Sequence, residues 1–293
     1  MSKPYMTREG GATVTVFVPY DCGNNCPFCI NKQEYADTSA FSAEKIRESM
    51  RVLHSITPRC DFVFTGGEPL ADPDTLQTMM DVIPAGHRVF INTTLPTLKD
   101  HSEEEIVAFL NRNKEKITCV NVSRHLSNYV AEGRDEIFSR IQCPVRINCV
   151  LFSPYDEAML PGFIQRFQSK GLPIQFRSDY TTTTPENLYD VKNDPVYQTL
   201  RKLLPCTAAE GCRIRCNYDF GEGAQKLSYH KTLPYSTVET EAEGTVYQVL
   251  YDVVVKQNGD IHSDWTGVKM DVELYRKVVF EPDDLKAFMP EET

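Results

Sequence analysis

The sequence has no apolar run near the ~18 residues that a membrane-spanning helix requires, so a spanning segment is not expected. Its opening stretch, MSKPYMTREGGATVTV, lacks the ~7–15-residue apolar core and small-residue cleavage site of a secretory signal. A cytoplasmic chain is therefore expected. Positive charge is in short supply: 31 Lys and Arg stand against 41 Asp and Glu, a net charge of −10. That balance lacks the overall positive field that draws proteins to nucleic acid, so neither nucleic acid nor a membrane is an expected partner. No internal repeat of ~20–50 residues is visible, and the only low-complexity tract is Thr181-Thr182-Thr183-Thr184. With 41% hydrophobic and 25% charged residues, collagen-like, mucin-like and wholly disordered chains are excluded.

What is present is a chain of 293 residues, long enough for one large α/β barrel, which can occupy ~200–250 residues as a single domain. Ten cysteines in a reducing compartment read as buried small residues, catalytic thiols or metal ligands, since cytosolic disulfides are rare. Apolar β-branched runs alternate with helical patterns. The predicted strands are Thr13–Pro19, Asp61–Thr65, Arg88–Thr93, Ile117–Ser123, Val145–Phe152 and Pro173–Arg177, and their apolar character suits strands buried on both faces. Ser42, Asp72-Pro73 and Ser102 with Glu105 read as helix starts. Further helices are expected near Asn128–Arg140, Asp156–Lys170 and Val196–Leu204. Six β–α units in series predict parallel strands with right-handed crossovers. Six units are too few for an eight-stranded barrel, so an open or partial barrel follows, with its site at the carboxyl ends of the strands. After about residue 190 the texture changes. Residues 205–245 hold a cysteine cluster and few periodic signals. Tyr247–Lys256, Asn258-Gly259 and Ile261–Trp265 read as a hairpin.

Two motifs carry chemistry. Cys22, Cys26 and Cys29, spaced C-x3-C-x2-C, follow the first strand. Three thiolates in one short loop can hold three irons of a [4Fe–4S] cluster, leaving the fourth iron open to a small molecule. Zinc is the rival, but a structural zinc site wants four ligands and no fourth Cys or His lies nearby. The second motif, Thr65-Gly66-Gly67-Glu68-Pro69-Leu70, ends the second predicted strand. Two glycines there let a ligand approach the backbone. Their carbonyls could accept from an ammonium group, with the Glu68 charge beside it.

Together these motifs resemble the radical S-adenosylmethionine (radical SAM) superfamily, in which a CxxxCxxC loop follows the first strand and a GGE motif ends the second. The matching residues are Cys22, Cys26 and Cys29, then Gly66, Gly67 and Glu68, with Phe28 as the aromatic residue typical before the third cysteine. The resemblance covers roughly residues 13–180. It implies a partial (β/α)6 barrel over 1–190, with a smaller C-terminal extension over 191–293 containing a β-hairpin. It also implies a [4Fe–4S] cluster and bound SAM, whose reductive cleavage yields a 5′-deoxyadenosyl radical. The cofactor supplies the difficult chemistry and the protein positions it. Ser123 resembles a serine of the family that contacts SAM, and Arg146 or Asn148 could reach the SAM ribose or carboxylate. Asn92, Thr93 and Thr94 stand where relatives often carry T-N-G. The implied partners are a small-molecule or peptide substrate and a one-electron donor such as flavodoxin or ferredoxin.

Cys206, Cys212 and Cys216, spaced C-x5-C-x3-C in loop-like sequence, read as a second metal site: an auxiliary [4Fe–4S] cluster, zinc, or redox thiols. His262 or Asp264 could supply a fourth ligand. Arg213 and Arg215 beside these cysteines could hold a carboxylate or phosphate, or offset cluster charge. Cys60, Cys119, Cys143 and Cys149 sit in or beside apolar strands and read as core. The expected function is hydrogen abstraction from an unactivated C–H bond, followed by cyclisation, bond formation or rearrangement. One alternative is a peptide maturase that relies on a partner for recognition. A second, from another class, is a non-catalytic Fe–S or zinc redox sensor.

Overall fold

A computed structural model of the protein describes residues 3–18, 22, 24, 26–31, 41–95, 101–126, 132–152, 154–223, 226–277, 279–282 and 284–288. The elements run β1 (Tyr5–Arg8), β2 (Ala12–Phe17), α1 (Ala43–Ile56), β3 (Cys60–Thr65), α2 (Pro73–Met80), β4 (Arg88–Thr93), α3 (Glu103–Arg112), β5 (Cys119–Ser123) and β6 (Val145–Leu151). There follow α4 (Leu160–Gln168), β7 (Ile174–Ser178), α5 (Pro195–Leu203), β8 (Cys206–Cys212), β9 (Arg215–Phe220), β10 (Leu227–Thr232), β11 (Val238–Ala242) and β12 (Thr245–Leu250). β13 (Asp252–Val255), β14 (Ile261–His262), β15 (Phe280–Glu281) and β16 (Lys286–Phe288) complete the chain.

The six predicted strands are β2 to β7, each paired in parallel with the next. β13 adds to β2 and β10 adds to β7, both also parallel. Antiparallel β9, β8 and β16 extend one side and β14 the other, giving a twelve-stranded sheet. Residues beyond 190 thus join the same sheet as the barrel strands. The segment expected to lack periodic structure, 205–245, is largely strand.

Helix starts follow the sequence signals. Ser42 accepts a hydrogen bond from the Lys45 amide and Asp72 from that of Thr75, while Ser102 and Glu105 form a reciprocal capping box. The expected helix at Asn128–Arg140 is a 3-10 turn over Asp135–Arg140, and residues 128–131 lie outside the described residues. The expected helix at Asp156–Lys170 is a 3-10 turn, Glu157–Met159, leading into α4.

The strands are not apolar on both faces. β3 and β6 alternate strictly between buried and half-buried residues. On the outer face Val14, Val16, Phe62, Phe64, Val89 and Ile91 share one core with Ile46, Met50 and Leu53 of α1. The other face carries Thr65, Asn92, Asn121 and Arg146, which the register aligns across β3 to β6. Alternation with period two makes this division automatic once one face is covered by helices.

The sheet curls until its two flanks meet through side chains. Arg213, in the two-residue turn between β8 and β9, donates from Nε to the Tyr251 hydroxyl at 3.1 Å and pairs with Glu281 at 2.6 Å. Arg215 Nη2 lies 3.4 Å from Asp252 Oδ1. A smaller sheet, ordered β11-β12-β1-β15, abuts this one. β1 pairs with β12, and β2 with β13, so two chain segments pass side by side from the small sheet into the large one. Gly11 makes the first passage: its φ is +86°, and a Cβ there would sit 2.0 Å from the Arg59 carbonyl oxygen. Gly11→Ala should therefore lower unfolding free energy by about 2–4 kcal/mol, from left-handed strain plus overpacking, read as a shift in urea midpoint. An unshifted midpoint would show that this crossing accommodates a side chain.

Candidate active site at the carboxyl ends of the strands

Cys22, Cys26 and Cys29 lie in the segment that follows β2, all half-buried. The Cys29 amide donates to the Cys26 carbonyl at 3.2 Å, closing a turn that contains Phe28. Phe28 packs its ring 4.9 Å from His125 and 5.7 Å from Phe152, which ties the cysteine segment to the ends of β5 and β6. Asp21, Gly23 and Asn25 lie outside the described residues. Asn31, just past the third cysteine, is buried and donates from Nδ2 to the Gly66 carbonyl at 3.2 Å, while its Oδ1 has no partner. The cysteine segment and the two glycines are thereby held edge to edge.

Gly66 has φ +115°, and a Cβ there would press on the Val18 backbone at 3.0–3.1 Å. Gly67 is half-exposed. Glu68 departs from expectation. Instead of offering charge to a ligand, its carboxylate is buried and saturated. Oε1 accepts from the Thr93 hydroxyl at 2.5 Å and the Leu70 amide at 3.2 Å. Oε2 accepts from the Thr94 amide at 3.0 Å and the Thr94 hydroxyl at 3.1 Å. Burial pushes the Glu68 carboxyl up, and these four donors pull it back. Glu68 is thus a tie between the glycine turn and the end of β4. Thr93 and Thr94, which depart from the T-N-G pattern, are its partners.

Further round the sheet, Ser123 stands opposite Asn148 across β5 and β6. Asn148 has a buried Oδ1 without a partner. Arg146 donates from Nε and Nη2 to Asn121 Oδ1 at 3.2 and 2.8 Å, and Asn121 donates to Asn92 at 2.8 Å. Arg146 is therefore engaged in a side-chain row across three strands. Arg124, which sequence reasoning passed over, is fully buried and clamps the carbonyls of Thr94 at 2.7 Å and Gly133 at 3.0 Å. Its only signal was its place directly after the V-S pair. The inner face also gathers Arg177, His230 and Arg215. Gln175 Nε2 lies 2.5 Å from His230 Nδ1. Burial, reinforced by Arg177, Arg146 and Arg215, holds the His230 imidazole well below its usual range.

The three C-terminal cysteines are not brought together. They sit on strands, not in a loop. Gly211 pairs with Cys216 and Cys212 pairs with Arg215 in the antiparallel register. Directly opposed residues share a face and neighbours alternate, so Cys212 and Cys216 point to opposite sides of the sheet. Cys206 is opposite Phe220. It shares the Cys216 face but lies four residues along, about 13 Å at the usual strand rise. Cys216 is packed beneath α5 beside Tyr218 and Phe220, and burial pushes its thiol up to about 11. Asp264 is spent on Thr237 at 2.7 Å and Thr266 at 2.8 Å, and Arg213 is spent on the seam between the flanks. The register therefore does not gather the expected auxiliary ligand set. Among the described residues, no three His, Cys, Asp or Glu side chains are gathered as a metal site. For Cys22, Cys26 and Cys29, which are likewise not drawn together as a set, the fit to a cluster rests on the donor chemistry: three half-buried thiols within eight residues of one another, near the unpartnered oxygens of Asn31 and Asn148. Cys60, Cys143 and Cys149 are core residues as expected, whereas Cys119 is half-buried, opposite Phe90 on the inner face.

Residues 16–124 match the family model described as the radical SAM superfamily. No curated protein matches the chain. Among solved structures, Streptococcus suis SuiB bound to S-adenosylmethionine is similar at 14% identity with a TM-score of 0.55, over 90% of this chain and 63% of that one. SuiB bound to precursor peptide SuiA is similar at 14% identity with a TM-score of 0.52, over 86% and 59%. Native anSMEcpe with bound AdoMet and Cp18Cys peptide is similar at 18% identity with a TM-score of 0.44, over 65% and 57%. The chain spans less than two thirds of each of these relatives.

Two outcomes are expected. Each Glu68 oxygen accepts one backbone amide, so an amide side chain must turn its NH2 toward an N–H in either orientation. Glu68→Gln should cost about 1–3 kcal/mol by urea denaturation, and an unchanged midpoint would mean that the tie is dispensable. The second outcome concerns His230, which is neutral when folded and must take a proton on unfolding in acid. Stability should fall as pH drops below the unfolded value near ~6.5, until the lower folded value is reached. His230→Asn should flatten that slope by up to about 1.4 kcal/mol per pH unit. Identical slopes in the two proteins would remove His230 as the source.

Proposed function

We propose that this chain, whose residues 16–124 match the radical SAM superfamily model, is a radical SAM enzyme that cleaves SAM reductively and abstracts hydrogen from a C–H bond of its substrate. When bound, the [4Fe–4S] cluster supplies the electron that splits SAM into methionine and the hydrogen-abstracting 5′-deoxyadenosyl radical. Cys22, Cys26 and Cys29 hold the cluster. Gly66 and Gly67 give SAM an open backbone edge, and Asn31 keeps that edge against the cysteine turn. Phe28 packs the turn onto the ends of β5 and β6. Ser123 and Asn148 face SAM, with the unpartnered Asn148 oxygen as an acceptor. Arg146 backs them through Asn121. Glu68 positions the turn without touching the ligand.

The observation that carries this reading is the hydrogen bond from Asn31 to Gly66, which joins the two motifs that chemistry requires to be adjacent. We place the division at residue 190 by role: 1–190 holds the cluster and SAM, and 191–293 completes the inner wall. The substrate is a small molecule or a peptide, and SuiB, which shares the fold, is solved with a precursor peptide. The electron donor is a flavodoxin or ferredoxin in a reducing cytoplasm. A redox sensor has no use for an amino-acid-binding strand edge, which disfavours that class.

Anaerobically reconstituted protein should hold about four irons per chain, one cubane. Changing Cys22, Cys26 and Cys29 together to Ala should remove them and abolish 5′-deoxyadenosine formation. Changing Cys206, Cys212 and Cys216 together to Ala should leave the iron content near four. Persistent SAM cleavage in the first variant would overturn the cluster assignment, and about eight irons in the wild type would restore an auxiliary cluster. Gly67→Val should keep its iron and lose SAM binding by calorimetry, and normal SAM affinity there would mean that the glycine pair is only a turn.

A further inference from the structure

Arg177 belongs to no motif, yet it stands on the inner face of β7, and its side chain has no hydrogen bond or ion pair to any described residue. The register places it beside His230, which in turn faces Asn217, and places Arg215 opposite Thr232 one step further along. All of these project from one face of the sheet. Arg146, on the same face of β6, and Arg215 both act on Arg177, so the three guanidinium groups occupy one region of the lumen. The carboxylate that acts on Arg177 is Asp252, already 3.4 Å from Arg215. Asp61 is bound to Arg88, Asp219 to Lys226, and Glu210, opposite Asn217 on the same face, accepts from the Asn217 amide at 3.3 Å. Among the described residues three guanidinium groups therefore share the Asp252 carboxylate, an excess of two positive charges, in a chain whose net charge is −10.

Such an excess is costly to enclose. Removing a guanidinium from water without a counter-charge is unfavourable by several kcal/mol in a low-dielectric setting, and burial lowers the proton affinity of both Arg146 and Arg177. Elsewhere this protein meets the cost with a partner: Arg213 takes Glu281 and Asp284, Arg166 takes Asp135, and Arg140 takes Glu103. Arg177 has none among the described residues. The neighbours suit an incoming anion. With the Gln175 amide donating to His230 Nδ1, the imidazole carries its proton on Nε2; Asn217 Nδ2 is already given to Glu210 Oε1 at 3.3 Å, so the row of donors ends at His230. Arg215 keeps 24% of its side-chain surface accessible, so it borders open space.

We infer that Arg177 and Arg215, with His230 between their strands, form an anion site in the barrel lumen that receives a doubly charged oxyanion group of the substrate. The planar fork of a guanidinium matches both phosphate and carboxylate, so the group is a phosphate monoester or a pair of carboxylates. This inference rests on the radical SAM reading for calling the ligand a substrate, but the site itself stands on the lumen geometry alone.

The test uses the reconstituted full-length protein with two probes, inorganic phosphate and succinate. Calorimetry should show one saturable site for one of them. That probe should raise the melting temperature with concentration, as a native-state ligand must. Arg177→Gln and Arg215→Gln should each weaken binding by about tenfold or more, the loss of one charge-assisted pair. Preference for phosphate or succinate identifies the source of the oxyanion. If the wild type shows neither saturable binding nor a melting shift with either probe, the site is wrong, and that result needs no variant to fold. Undiminished affinity in both variants also overturns it. SAM cleavage by the wild type is measured in parallel. Anion binding without cleavage retains the site and removes the enzymatic reading, whereas cleavage without anion binding does the reverse.

Discussion

A buried carboxylate must be surrounded by donors, and the candidate site is organised by how Glu68 meets that demand. Its two oxygens draw in the Leu70 amide, the Thr93 hydroxyl and both donors of Thr94. Because those donors belong to the turn after β3 and the end of β4, satisfying one charge fixes the relative height of two strand ends. Arg124 then holds the Thr94 carbonyl from β5, and Asn31 holds Gly66 from the cysteine segment. The site is a set of loops locked to each other by polar contacts that would be expensive to leave unmade.

The same economy shapes the lumen. Helices cover one face of the parallel strands, and alternation sends every second side chain to the other. That inner face carries Asn, Gln, Ser, Thr and Arg, interspersed with Val63, Phe90 and Val150. Its polarity is nearly self-consistent from β4 to β6, where Asn92, Asn121 and Arg146 satisfy one another. It is unbalanced from β7 to β9, where Arg177 has no side-chain partner among the described residues. The sheet's flanks meet there through Arg213 with Tyr251 and Arg215 with Asp252. The seam is closed by side chains instead of backbone pairing, so the wall it forms is chemically addressable.

Cys206, Cys212 and Cys216 show how sequence proximity misleads in a hairpin. In a loop, spacing of five and three residues can converge on one metal. In paired strands the same spacing is governed by a period of two and by register. A two-residue turn at Arg213-Ile214 sets Cys212 against Arg215 and sends Cys216 to the opposite face. The segment does carry a local strand signal, since Arg215–Phe220 alternates polar and apolar residues with period two, but its three closely spaced cysteines read more strongly as a loop. Its strands are held by long-range pairing with β10 and β16.

The order of strands β2 to β7, the helix caps at Ser42, Asp72 and Ser102, and the placement of the cysteine and glycine motifs at strand ends were legible from the residues, because periodicity, capping and motif spacing are local properties. The buried roles of Cys60, Cys143 and Cys149 were legible for the same reason. The tie from Glu68 to Thr93 and Thr94, the clamp by Arg124 and the charge excess around Arg177 were not. Each depends on which residues of distant strands share a face and a height, and register is set by the packing of the whole sheet. The sequence by itself determined what chemistry the strand ends carry. Only the tertiary structure decided that the Glu68 charge is consumed internally, that Cys212 and Cys216 face apart, and that three guanidinium groups gather near the Asp252 carboxylate, because pairing between strands far apart in sequence decides which charges meet.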